Sequence, residues 1–188
     1  MFSDSMLEDI LKLVKFNLDD EMFITDKEIL LNMISKKASI NERQEILTLL
    51  ADKFNVTLFS QSDSSMIPKL VNKGYVNYSN DMPLIFANSK INLNISLRSI
   101  VRGIPLRALD VMGAGGFLLS NYQPELAEMF IDGEEMVMYY SREDLVQKVK
   151  YYLEHDEERC RIAENGRKKI EREFDYGVAW KKIFDIVG

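Results

Sequence analysis

Between Asp81 and Asp110 the chain carries no acidic residue, yet Lys90, Arg98, Arg102 and Arg107 all fall within that interval. The formal net charge of the whole chain is -6, so this segregation runs against the composition and marks a local anion site. The alternative is a solvated basic loop that pairs with acidic helices elsewhere. Pro105 suits the first turn of a helix, where its missing N–H costs nothing and its fixed φ is already helical, so a helix is predicted to open at Ile104 or Pro105. Its free N–H groups and positive dipole end then lie beside Arg102 and Arg107. Phosphates bind at such helix starts where they follow the carboxyl end of a strand.

The strand that must deliver this loop is legible as alternation. Ile91, Leu93 and Ile95 give an apolar face, and Asn92 and Asn94 an amide-bearing one, with Ser96 at the strand end. After the helix, Gly113, Gly115 and Gly116 follow rather than precede helical sequence. They read as a helix stop and tight turn, not as a dinucleotide fingerprint. The apolar run FLLS then supplies another strand.

Upstream, residues 4–17 place Leu7, Ile10, Leu11 and Val14 on one helical face. Thr25 with Glu28 and Ser39 with Glu42 form two capping boxes, each before apolar residues at helical spacing. Residues 1–54 are therefore predicted to be a helical extension or linker region, and residues 55–188 a separate domain. Val56, Leu58 and Phe59 open the β pattern, ending in a polar turn at Ser60, Gln61 and Ser62. That turn either approaches a ligand at the sheet edge or is an ordinary connection. A second short strand is predicted after Gly74, through Tyr75, Val76 and Tyr78. Pro83 opens a helix capped by Asn80 or Asp81, and Pro124 another. A turn at Asp132-Gly133, a strand EEMVMYY, a helix behind Ser141 and Asp144, and two further helices, the last from Tyr176 with Trp180, complete the chain. Strands alternating with helices from 55 to 153 predict a Rossmann-like, doubly wound parallel sheet of about five strands.

Composition excludes several classes. The pI of 5.0 opposes a general nucleic-acid binder. One histidine, His155, and one cysteine, Cys160, leave no material for a serine or cysteine triad, a histidine-rich zinc site or an internal disulfide. A reducing cytoplasm is the expected compartment. No apolar run approaches a membrane span, and the N-terminus has acidic residues where a signal peptide has basic ones.

The strand ending at Ser96, the segment LRALDVMGAGGFLLS, the later FIDGEEMVMYYSREDLVQKVKYYL and the tail RIAENGRKKIEREFDYGVAW occur together and in order over about 56–187. In this the chain resembles the C-terminal domain of group 1 glycosyltransferases of the GT-B fold, and within them the CgeB-like, spore-maturation branch. The resemblance implies a nucleotide-sugar donor site, no cofactor, and an N-terminal GT-B half of a longer protein as partner, this chain being a fragment with little turnover alone. Many such enzymes carry a spaced pair of glutamates, one near the donor sugar and one near the ribose. Asp110 takes the ribose position, while Arg102 stands where the first glutamate would fall, which points to phosphate charge being met there. The segment after the second strand passes beside the base, making Val76, Asn77 and Tyr78 candidate base contacts; packing of the tyrosines on the sheet surface is the other reading. Arg107, Arg102 and the helix start would stabilise the departing diphosphate, and Asn94, Ser96 and Ser60 would hydrogen-bond phosphate or sugar. The absence of an Asp-x-Asp motif agrees with a metal-independent site. The rival expectation is a noncatalytic interaction module on the same fold, and a third is a doubly wound enzyme for a phosphorylated small molecule.

Overall fold

The structure, a computed structural model, describes residues 4–13, 25–96 and 103–175, with 177, 180, 184 and 185. Two compact units divide within the second helix, after Glu45. The first unit contains helix α1, Asp4–Leu13, and most of helix α2, Asp26–Ala51. Residues 14–17, the end of the first predicted helix, lie outside the described residues. The capping box at the start of α2 forms as expected: Thr25 N and Oγ1 both donate to Glu28 Oε2 at 2.8 Å, and Glu28 N donates to Thr25 Oγ1 at 3.3 Å. Accepting these bonds holds the Glu28 carboxyl below its ordinary range. Thr25→Ala should lower stability by about 0.5–2 kcal/mol in chemical denaturation.

The second predicted capping box does not start a helix. α2 runs through it without a break, and the buried Ser39 hydroxyl donates instead to the carbonyl of Ser35, one turn back, at 2.7 Å. A serine inside a helix can satisfy its hydroxyl this way, so the S-x-x-E spacing marked no boundary.

The second unit is α/β with parallel strands, as predicted, and among the described residues the strands number five. β1, Thr57–Leu58, pairs with β2, Val71–Asn72; β3, Asn92–Asn94, β4, Leu118–Asn121, and β5, Val137–Tyr139, form a three-stranded sheet in that order. Leu93 stands opposite Leu119, and Leu119 opposite Val137. The second strand lies before Gly74, not after it. Gly74 has φ 77°, a left-handed turn that ends the extended run, and Asn72 Oδ1 fixes the turn by accepting Gly74 N at 3.0 Å and Ser60 N at 3.3 Å.

Helices α3, Met82–Asn88, α4, Leu106–Gly113, α5, Pro124–Met129, α6, Arg142–Glu154, and α7, Asp156–Glu173, cover the strands. Asp81 stands at the start of α3 without a side-chain cap; Asn77 Oδ1 instead accepts Ser79 N and Asn80 N, each at 3.0 Å. The predicted cap for α6 holds, with Ser141 Oγ accepting Asp144 N at 3.1 Å. Of the predicted last helix, only residues 177, 180, 184 and 185 are described, all helical, with Trp180 and Phe184 exposed and stacked at 5.9 Å.

Alternation along β4 and β5 separates two cores. Phe117, Leu119, Val137 and Tyr139 pack with Leu145, Val149, Tyr152 and Ile162, joined by Ile46 and Leu50 from the end of α2. Leu118, Met136 and Met138 point the other way, against Ala108, Val111, Met112 and Leu126. Apolar residues at successive positions are what a parallel strand covered on both faces requires. In the first core, burial foremost, with Glu158 nearby, pushes the Tyr152 phenol up to about 12. The unfolded chain ionises this phenol at about 10, so stability falls as pH rises above about 10 and the loss is complete near about 12. Tyr152→Phe should flatten that alkaline decline in a pH series of thermal melts.

Candidate functional site

The carboxyl ends of β3 and β4 and the start of α4 carry the residues singled out by sequence. α4 begins at Leu106, with Pro105 as its N-cap in extended conformation (ψ 118°) rather than inside the first turn; the Pro105 carbonyl accepts Ala108 N at 2.8 Å. At the other end the glycines act as predicted. Gly115, at φ 78°, turns the chain so that its N–H reaches Met112 O, and Gly116 N reaches Val111 O, each at 2.9 Å.

Three predicted residues meet on this helix. The Tyr78 hydroxyl donates to Asp110 Oδ2, and the Arg107 guanidinium lies over the rings of Tyr78 and Phe86, at 5.9 and 5.6 Å from their centroids. Arg107 is exposed, Asp110 is half-buried and Tyr78 is 50% exposed. The bond to Asp110 is the main cause that raises the Tyr78 phenol above its ordinary range, because ionisation would lose it. Burial and the Asp110 charge act in the same direction, and Arg107 opposes them. A cation, a carboxylate and an aromatic face therefore stand within one contact, open to solvent. Val76, two residues before Tyr78, is half-buried against the core beneath.

Asn94 and Ser96 form a second cluster, and both are buried. Asn94 Nδ2 donates to Ser96 Oγ at 3.0 Å and to Ser120 Oγ at 2.9 Å, and Ser96 N donates to Asn121 Oδ1 at 2.8 Å. The amide-bearing face of β3 thus faces protein, and Asn92 likewise donates to the carbonyls of Phe86 and Phe117. This network ties the end of β3 to the end of β4. Ser120 and Asn121 were not singled out from sequence, although a polar pair ending an apolar run at a strand's carboxyl end was a usable signal.

Ser60, after β1, accepts Ser62 N at 3.0 Å with its hydroxyl, a local turn held also through Asn72. Of the cationic group, Lys90 stands before β3, at its amino end, and pairs with Asp156 at 3.4 Å. It does not share the site of Arg107. Arg98 and Arg102 lie outside the described residues.

Among the described residues, no helix is long and apolar enough to cross a membrane. No curated protein matches the chain. Among solved structures, the C-terminal domain of a group 1 glycosyl transferase, LpcC, from Francisella tularensis is similar in fold, with a TM-score of 0.56 at 14% identity, covering 71% of this chain and 80% of that one. The sequence profile of the glycosyl transferase-like family matches residues 42–185. That span takes in α4, both polar clusters and every strand, and the chain belongs to the glycosyl transferase-like family.

Proposed function

We propose that this chain binds the nucleoside diphosphate of a sugar nucleotide, as the donor half of a metal-independent glycosyl transferase of the CgeB-like branch. The observation that supports it is the contact of Tyr78, Arg107 and Asp110 at the start of α4. In this reading Asp110 accepts hydrogen bonds from the ribose hydroxyls. The Tyr78 hydroxyl, which donates to the same carboxylate, is the stand-in that the ribose displaces. The freed phenol ring then offers its face to the base, and Val76 supports it. Arg107 and the first N–H groups of α4 receive the diphosphate, where charge builds as the glycosidic bond breaks.

The Asn94, Ser96, Ser120 and Asn121 network acts by position, holding the end of β3 rigid beside the site. Ser60 lies at the corresponding end of β1, and Arg102 enters this reading by its sequence position alone. The acceptor, and any base that activates it, belong to a second Rossmann-like half, in the reducing cytoplasm.

A thermal-shift screen against nucleoside diphosphates and sugar nucleotides, without metal, tests this. A ligand at one hundred times its Kd adds about 2.7 kcal/mol of stability. A shift for one nucleoside diphosphate is expected, and its base names the donor. A second reading, an interaction module with an empty cleft, draws on the exposed Trp180 and Phe184 stack. It expects no shift with any nucleotide.

A further inference from the structure

The carboxyl ends of β4 and β5 carry a further constellation that shares no residue with the contact of Tyr78, Arg107 and Asp110. Asn121 stands opposite Tyr139 in the ladder, and the next residues, Tyr122 and Tyr140, continue side by side, with Tyr122 N donating to Tyr139 O at 3.0 Å. Their rings stack at 5.3 Å with 29° between planes, yet remain 45% and 63% exposed. Tyr140 is held in place: its hydroxyl donates to Asp132 Oδ2 at 3.3 Å, and Lys148 Nζ lies 5.2 Å from its ring centroid. Asp132 is fixed in turn by Met138 N at 2.8 Å. Tyr140 and Asp132 also line a cleft of about 370 Å³, with Glu128, Met129, Ile131 and Lys169. This volume is at the small end of the roughly 300–1,000 Å³ of small-molecule clefts.

We infer that the Tyr122 and Tyr140 rings, with Asp132 beside them, form a binding platform for the pyranose ring of a neutral saccharide. The C–H faces of a pyranose carry partial positive charge and suit the negative face of an aromatic ring. A carboxylate next to that ring accepts from the sugar hydroxyls. The charges favour a neutral ligand over a phosphorylated one: Lys169 is paired with Glu135 at 3.2 Å, Lys148 with Asp144 at 2.9 Å, and Asp132 and Glu128 add negative charge at the cleft. The platform does not use Arg107, Asp110 or Tyr78, and the inference stands without the nucleotide reading.

The test is saturation-transfer NMR on the whole chain with maltotriose, cellotriose and chitotriose at millimolar concentration and no nucleotide present. Saturating the aromatic protons should transfer signal to the ring C–H protons of at least one trisaccharide. Tyr122→Ala combined with Tyr140→Ala should abolish that transfer. Tyr140→Phe, which keeps the ring and loses the Asp132 bond, should retain it, and its retention also shows that the surface is intact. No transfer to any of the three sugars overturns the platform, as does transfer that persists in the double alanine variant.

Discussion

Replacing Arg107 with alanine should weaken nucleoside diphosphate binding by about 1.5–3 kcal/mol, the range for a hydrogen bond to a charged group. That corresponds to a Kd roughly 10- to 150-fold higher. The size of the effect follows from where the guanidinium sits. It lies one residue inside α4, over the Tyr78 and Phe86 rings, and no ion pair among the described residues uses it. Its charge is therefore available to an incoming anion, and the rings beneath hold it in a limited set of orientations. Arg107→Lys keeps the charge but loses the planar fork and the stacking, so it should recover only part of the affinity. Because Arg107 is exposed, neither variant should shift the thermal midpoint of the free protein appreciably. Calorimetric titration at fixed ionic strength measures the loss, and equal affinity in wild type and Arg107→Ala would remove Arg107 from the site.

The largest expected effect on stability is at Gly166. This glycine is buried in α7 where that helix crosses α4, and a Cβ there would stand 2.4 Å from Glu135 O and 3.4 Å from two Met112 side-chain atoms. The carbonyl is backbone, in the turn before β5, and cannot step aside cheaply, so α7 must move away from that turn. Gly166→Ala should cost about 1–3 kcal/mol or more by overpacking, against a helix-propensity gain of only about 1 kcal/mol. Gly113, also helical, is the matched comparison. Its Cβ would meet only Ile170 Cγ2 at 3.5 Å, an ordinary contact. Gly113→Ala should therefore be neutral or stabilising by up to about 1 kcal/mol. Urea denaturation of the two variants side by side checks the argument. Equal effects would show that the packing of α7 on the turn at Glu135 is looser than the geometry indicates.

What could be read from sequence was what neighbours in the chain decide. The Thr25 and Glu28 box, the glycine stop after α4, the Ser141 cap and the parallel α/β pattern are all set by residues a few positions apart, and each formed. The errors arose where one local spacing allowed two structures or where a distant partner decided. Ser39 and Glu42 had the same local spacing as Thr25 and Glu28, but the helix continued through them and Ser39 turned its hydroxyl back to Ser35. Tyr75, Val76 and Tyr78 had strand-forming residue types, but the turn at Gly74 closed the strand first, with Asn72 Oδ1 accepting both Gly74 N and Ser60 N from the loop after β1. Lys90 counted toward one cationic cluster in sequence, yet it sits at the opposite end of β3 from α4 and finds Asp156 in α7.

The candidate site was legible to the same degree. Tyr78 and Asp110 were each proposed for a different part of one ligand, and their direct contact required the fold to bring residues 32 apart together. Asn94 and Ser96 had the donors and acceptors of a ligand shell, but only the pairing of β3 with β4 shows those groups bonded to Ser120 and Asn121. The alternation of Asn92 and Asn94 with apolar residues predicted an amide-bearing face on β3. The fold buries that face, and each amide is matched to a protein partner.

The most direct measurement is a titration of the isotopically labelled chain with UDP, GDP, ADP and dTDP, followed by amide chemical shifts with a chelator present. One of the four should move the amides of Val76 to Tyr78 and of Leu106 to Asp110 together, with a single saturation curve. Shifts confined to other parts of the chain, or none with any of the four, would contradict it.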